Sequence, residues 1–360
     1  MKKFLTGKVV KIHSDFIYVK SDDETFECKI RERLKKEQVK VFTGDDVKIE
    51  EFSAETNQAV IVEVLKRNSY ITRPSIANAD QVVVVTSIAE PELDFIQLNR
   101  YLCHARLSNL PALICINKID LRKVGRDMPE VIRSIYESLG YKVVFTCAID
   151  DSRLEELESH LSGKVSVLAG LSGVGKSSLL NKLCPDLNLK TKKVSAKSGR
   201  GIHTTRHTEL IEIPLANNKS CQIADTPGFS HLKFDTILPA EVMNLFDEIK
   251  AFSDKCYFSD CLHLEEENCN VIANLSSIDE IRYLSYKAFV KEAFEYKKQV
   301  NFSSQKEEAA TKTIDASKKE KTRLVKVNAQ SKENSRKKSK QQLSSVSHLD
   351  NMYYNENDLD

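Results

Sequence analysis

The stretch from Val165 to Leu183 limits the fold more than any other. Val165–Ala169 reads as a buried strand, Gly170-Leu171-Ser172-Gly173-Val174-Gly175-Lys176-Ser177-Ser178 follows, and a helical pattern runs from Ser177 to Leu183. A strand that enters a helix through such a G-x-x-x-x-G-K-S turn belongs to a parallel sheet with helices on its faces. The glycines let the backbone wrap closely and aim its N–H groups inward, which suits a phosphate chain. Lys176 is placed to contact the β- and γ-phosphates, and the Ser177 hydroxyl to ligate Mg²⁺.

The surrounding pattern agrees. Gln81–Thr86, Ala112–Ile116 and Lys142–Cys147 read as further buried strands. Helical stretches lie between them at Leu93–Leu107, Pro129–Leu139 and Asp151–Leu161, the last with Asp151 or Ser152 as its expected cap. Strands alternating with helices imply a parallel sheet covered on both faces. Ahead of this, short alternating runs at Lys8–Ile12, Phe16–Lys20, Thr25–Ile30 and Asp46–Glu50 imply a small antiparallel barrel, with an OB-type barrel as one option. Arg67–Asp80 reads as a connecting segment. The expected organisation is therefore a multidomain chain: an all-β barrel over 1–68, an α/β P-loop domain over 69–235, a mostly helical metal-binding domain over 236–300, and a disordered Lys-rich tail over 301–360.

Composition bounds the setting. The net charge of +2 leaves any basic surface local. No apolar run reaches the length of a membrane span, and the N-terminus has no apolar core of signal-peptide length. A cytoplasmic, membrane-free and monomeric protein is expected. The nine cysteines are then reduced, so clustered ones point to a metal rather than to disulfides. Cys115, Cys184 and Cys221 sit in apolar runs and read as core.

Asn117-Lys118-Ile119-Asp120 follows a buried strand and matches the N-K-x-D box that reads guanine in GTPases. The Asp120 carboxylate can accept from guanine N1–H and the 2-amino group. Adenine has neither donor and would leave the carboxylate unpaired. Asn117 supports the loop and reaches the purine, and the Lys118 stem can pack over the ring. Thr146-Cys147-Ala148 ends the next strand and resembles the S-A segment whose backbone N–H meets guanine O6, with Cys147 in the usual serine position.

Asp225-Thr226-Pro227-Gly228 matches D-x-x-G: Asp225 is expected to hold Mg²⁺, and the Gly228 N–H to meet the γ-phosphate. Between it and the phosphate loop, Thr204 or Thr205 is the expected threonine that closes on Mg²⁺. Phe229 stands where many GTPases carry a water-orienting glutamine. Slow intrinsic hydrolysis is the expected consequence, and His203 is the candidate to position the water. The expected catalytic set is His203, Thr204, Thr205 and Lys176. N-K-x-D precedes the phosphate loop here, which reverses the usual order. A circularly permuted GTPase domain results, with D-x-x-G near its C-terminal end and fewer than about thirty residues from the cysteine cluster.

Cys256-x4-Cys261-x-His263-x5-Cys269 supplies three thiolates and one imidazole in a short span. That is a closed tetrahedral set for one structural Zn²⁺.

The whole is similar to the circularly permuted, ribosome small-subunit-dependent GTPases of the RsgA family. The likeness covers about residues 5–295 and rests on Gly44-Asp45-Asp46-Val47, Arg73-Pro74-x-x-Ala77-Asn78-x-Asp80-Gln81, the N-K-I-D, G-L-S-G-V-G-K-S-S and D-T-P-G-F boxes, the Cys/His cluster and Arg282-Tyr283-x-Ser285-Tyr286. It implies an N-terminal OB domain, binding of GTP and GDP, and association with the small ribosomal subunit and its rRNA during late assembly. Ribosome-stimulated hydrolysis is implied with it. Arg206 replaces the third threonine of the family's H-T-T-T. Lys190, Lys192, Lys193, Lys197 and Arg200 are candidate RNA-phosphate contacts. A GTP-regulated scaffold with negligible turnover, and an ATP-dependent nucleotidyl enzyme, are the competing readings.

Overall fold

The computed structural model describes residues 4–14, 16–53, 56–72, 74–121, 127–147, 153–187, 208–215, 219–225, 232–234 and 237–308. The chain divides into two compact units, Met1–Lys233 and Phe234–Asp360.

The first unit opens with β1 (Phe4–His13), β2 (Phe16–Ser21), β3 (Glu24–Ile30), the short α1 (Glu32–Lys36), β4 (Asp46–Ser53) and β5 (Gln58–Val64). Alternate residues point inward, so Val9, Val19, Phe26, Ile49 and Ile61 are fully enclosed. The order β1-β2-β3-β5-β4 closes through a β1–β4 pairing into the five-stranded barrel expected of an OB-type fold. β3 and β5 run parallel, the other pairs antiparallel.

Arg67–Asp80 is more than a connection. It contains a hairpin of β6 (Tyr70–Thr72) and β7 (Ser75–Ala77), tied back to the barrel. The Asn78 side chain donates to Gly44 O at 3.0 Å and to Asp46 Oδ2 at 3.1 Å. Gly44, at φ +92°, lies so close that a Cβ there would sit 2.0 Å from Ala77 O. Asp45 is fully buried and takes a two-point contact from Arg67, Nε to Oδ1 at 2.6 Å and Nη2 to Oδ2 at 2.9 Å. The Arg67 guanidinium also lies 4.7 Å from the Phe42 ring centroid.

β8 (Gln81–Ser87), α2 (Phe95–Leu107), β9 (Ala112–Asn117), α3 (Met128–Glu137), β10 (Lys142–Phe145), α4 (Leu154–Leu161), β11 (Val165–Ala169) and α5 (Lys176–Leu183) then alternate. β10, β9, β8, β11 and β13 (Lys219–Asp225) run parallel in that order. Val82–Val85 are buried along both faces of β8, as a doubly covered sheet requires. β10 ends at Phe145, two residues before the expected Cys147. α4 begins at Leu154 with Arg153 at its N-cap; the expected caps, Asp151 and Ser152, lie outside the described residues.

The sheet is not purely parallel. β12 (Glu209–Leu215) pairs antiparallel with β13 and, at Lys11↔Glu209, with β1. The nucleotide sheet and the barrel therefore form one eleven-stranded hydrogen-bonded system. Lys11–Glu209 (2.9 Å) and Lys20–Glu212 ion pairs flank the junction.

The second unit packs a 3₁₀ turn (Pro239–Leu245), α6 (Asp247–Ser253), α7 (Asn270–Ala273) and α8 (Glu280–Glu308) around Phe234, Phe246, Tyr286 and Phe289. Arg282, 1% exposed, is neutralised by Glu248 at 2.6 Å and stacks on Phe246. α8 continues to Glu308, past the break expected at residue 300.

Candidate functional site

The phosphate loop joins β11 to α5, and the first-turn N–H groups of a helix lack intrahelical acceptors. Gly170 sits at φ +145°, where a Cβ would meet Val85 O at 2.1 Å, and Gly175 at φ +99°. Helix begins at Lys176, one residue ahead of the expected Ser177. The Lys176 ammonium donates to Gly170 O (2.7 Å) and Leu171 O (2.8 Å), so its charge is held over the loop. Ser172, Gly173 and Val174 complete the turn, and Ser177 and Ser178 lie in the first turn of α5.

The base box is fastened to this loop. Asn117, fully buried at the end of β9, donates from Nδ2 to Val174 O at 2.9 Å. Its Oδ1 accepts from the Thr146 hydroxyl at 3.2 Å, which also contacts Cys115 Sγ at 3.4 Å. Any Cβ on Gly175 would stand 2.3 Å from Asn117 Nδ2. Lys118, at φ +60°, donates to Glu90 O in the loop after β8. Ile119 and Asp120 lie in a 3₁₀ turn, and the Cys147 thiol donates to Asp120 Oδ1 at 3.1 Å. The glycine-rich loop, a fixed ammonium and an exposed carboxylate thus converge at the C-terminal ends of β9 and β11. That end of an open α/β sheet is where nucleotides bind.

Sequence reasoning placed Cys147 here for its backbone; the contact of its thiol with Asp120 was not foreseen. The Glu90 carbonyl carries no sequence signal. Asp225 ends β13 and is described by its backbone. Ala148, His203, Thr204, Thr205, Gly228, Phe229 and the basic run from Lys190 to Arg200 lie outside the described residues.

In the second unit, Cys256, Cys261, His263 and Cys269 place their ligand atoms within 4.8 Å of one another. Cys256 Sγ is 3.8 Å from Cys269 Sγ, and His263 Nδ1 is 3.5 and 3.6 Å from those two sulfurs. Tetrahedral bonds of zinc length would set sulfurs about 3.8 Å apart and sulfur to nitrogen about 3.5 Å apart. The donor set therefore fits a four-coordinate metal. Burial holds the His263 imidazolium below its ordinary range and keeps the ring neutral, as a ligand must be. The loop has its own supports. Glu266 accepts from Leu262 N (2.7 Å) and Leu264 N (2.8 Å), while the Tyr283 and Tyr286 hydroxyls donate to His263 O and Leu262 O. The Arg-Tyr-x-Ser-Tyr motif was the visible trace of those tyrosines; Glu266 left none.

Among the described residues, no helix is long and apolar enough to cross a membrane.

Comparison with known proteins gives the same picture. Residues 64–235 match the model of the RsgA GTPase family, and residues 6–61 that of the RsgA N-terminal domain. Relatives include "Small ribosomal subunit biogenesis GTPase RsgA" from Geobacillus thermodenitrificans, 41% identical over 81% of this chain and 98% of that protein. A protein of the same description from Alkaliphilus metalliredigens is 38% identical over 78% and 94%. The crystal structure of YjeQ from Thermotoga maritima matches with TM-score 0.67 at 34% identity, covering 81% of this chain and 99% of the other. YloQ, described as a circularly permuted GTPase, matches with TM-score 0.66 at 30% identity, covering 81% and 96%. With both family models matched, relatives about 40% identical over most of their length, the N-K-x-D box preceding the phosphate loop and two solved relatives covered nearly end to end, the chain belongs to the RsgA family of circularly permuted GTPases.

Proposed function

We propose that this chain binds GTP and hydrolyses it on the small ribosomal subunit, assisting late subunit assembly, with nucleotide state governing its release. The observation that carries the reading is the Asn117–Val174 hydrogen bond, which joins the base box and the phosphate loop into one cradle. In that cradle Asp120 reads the guanine edge and Lys118 packs along the ring. The Cys147–Ala148 backbone meets O6. The Gly170–Ser178 backbone and Lys176 hold the phosphates. Ser177, Thr205 and Asp225 are the ligands assigned to Mg²⁺, and the Gly228 N–H to the γ-phosphate. Mg²⁺ supplies charge neutralisation at the β- and γ-phosphates when bound. The relatives' description as small-subunit biogenesis GTPases supports the partner assignment.

The metal is Zn²⁺, because three thiolates and an imidazole at tetrahedral spacing suit a closed structural site. Binding of rRNA, a monomeric state and a cytoplasmic location complete the reading. GTP turnover measured with and without purified small subunits tests it, the expected result being clear stimulation. Phe229, in place of a glutamine, favours a second reading in which the chain switches without meaningful turnover. Absence of stimulation would favour that one. His203→Ala separates the water-positioning role, since a variant that binds GTP normally and hydrolyses it at the wild-type rate removes His203 from the mechanism.

A further inference from the structure

The barrel and the nucleotide sheet meet at one rung. Lys11 of β1 lies opposite Glu209 of β12, and Glu209 lies opposite Asp225 of β13. Three neighbouring strands therefore align a barrel residue with the aspartate that opens the D-x-x-G box. Glu209 is also the first strand residue after the segment holding Thr204 and Thr205.

A second contact pins the same point. The Thr43 hydroxyl, on a side chain 2% exposed, donates to Thr208 O at 3.2 Å across 165 residues of sequence. Thr43 itself has little freedom. Its carbonyl accepts from Ala77 N at 2.9 Å, and it bridges Ile76 of β7. The next two residues are locked to β1, Gly44 N to Val9 O and Val9 N to Asp45 O, each at 2.8 Å. The barrel thus presents a rigid donor to the strand entrance, and the Lys11–Glu209 ion pair secures the adjacent residue.

We infer that the barrel is part of the hydrolytic apparatus: Thr43 is a positioning residue that, with Lys11, fixes the Thr208–Glu209 anchor and through the rung the backbone of Asp225. The inference rests on the proposed roles of Asp225 and Thr204 or Thr205 in GTP hydrolysis. The base box and phosphate loop lie off this rung, so the guanine and α- and β-phosphate contacts do not depend on it. A partner seated on the barrel gains a direct mechanical route to the groups that act on the γ-phosphate, because paired strands shift together.

Full-length protein tests this through the split between affinity and turnover. Thr43→Val keeps the side-chain volume and removes the donor. The expected result is unchanged GDP affinity, a Tm lowered by no more than a few degrees, and a subunit-stimulated kcat lowered about two- to tenfold, the range of one hydrogen bond used only in positioning. Thr43→Ser restores the rate. Should Thr43→Val fold poorly, a charge swap replaces it: Lys11→Glu and Glu209→Lys each lower kcat, and the double variant recovers it. A Thr43→Val or Lys11→Glu protein that turns over at the wild-type rate overturns the inference alone. A wild-type chain with no turnover overturns the GTPase reading, and the inference with it.

Discussion

Asn117 Nδ2 lies 2.9 Å from Val174 O, so the residue that opens the guanine box also closes the phosphate loop. Two motifs more than fifty residues apart in sequence act as one wall of the site. The opposite arm of the same amide accepts from Thr146, which brings the end of the next strand into the network.

Gly175→Ala tests that wall. A Cβ there would sit 2.3 Å from Asn117 Nδ2, on a backbone at φ +99°. The added strain and the displaced Asn117 should lower GTP and GDP affinity alike, by about tenfold or more, in a protein that still folds. Titration calorimetry with GDP is the direct measurement, and an unaltered Kd would show that the contact is dispensable.

Cys147 bears on specificity. Its thiol donates to Asp120 Oδ1 at 3.1 Å and so fixes the plane of the carboxylate to which we assign guanine reading. Inosine lacks the 2-amino group and needs only one of the two carboxylate contacts. Cys147→Ala should therefore reduce the preference for GTP over ITP by about threefold, with Cys147→Ser keeping it. Competition binding of the two nucleotides reads this ratio, and equal ratios in all three proteins would argue against the role.

Among the described residues, Arg67 and Asp45 form the most enclosed ion pair of the barrel, with two contacts and Asp45 fully buried. Lysine cannot reproduce the two-point fork or the stacking on Phe42. Arg67→Lys should cost about 2–4 kcal/mol of stability, since it leaves a buried carboxylate incompletely paired. Urea unfolding measures it as a lowered midpoint at constant slope; a midpoint within error of wild type would refute the assignment.

Metal removal should act locally. The 256–269 loop is built around its four ligands, the buried Leu262 and Leu264 and a few backbone contacts. Chelation is expected to expose the Leu262 and Leu264 amides to rapid hydrogen exchange while those of β8 and β11 stay protected. Elemental analysis should find one zinc per chain. Exchange that is uniform with and without chelator would contradict a structural metal.

Alkali should weaken the first unit. Burial pushes the Cys28 and Cys115 thiols up to about 12 from an ordinary 9.0. Both stay neutral in the fold while the unfolded chain ionises. The stability they protect is complete below pH 9 and declines as pH rises from 9 towards 12, by about 2 kcal/mol each at pH 10.5. Cys28→Val should flatten part of that decline in urea titrations at pH 8 and pH 10.5.

What the sequence made legible was local. Gly170–Ser178, Asn117–Asp120 and the Cys/His cluster each gather within a few residues, so spacing alone exposes them. The barrel was legible from alternation because inward positions repeat every second residue. The β6–β7 hairpin was not, since three-residue strands leave no periodicity to read. The end of α8 was misjudged because Lys, Gln and Glu signal solvent exposure as readily as disorder, yet they are good helix formers. The Thr43–Thr208 bond, the Cys147 thiol contact and the β1–β12 pairing were invisible for a different reason. Each depends on which distant strand lies alongside, and hydrophobic pattern does not encode that choice.

The shared sheet also dictates an order of assembly during translation. Barrel strands β1 to β5 are complete by Val64, but the Lys11↔Glu209 pairing waits for the rest of the chain up to β12 to emerge. At ordinary synthesis rates that is a delay of about 7–30 s. Throughout it, the nascent barrel keeps one stretch of β1 backbone unpaired at its rim, and β12 is the segment that finally caps it.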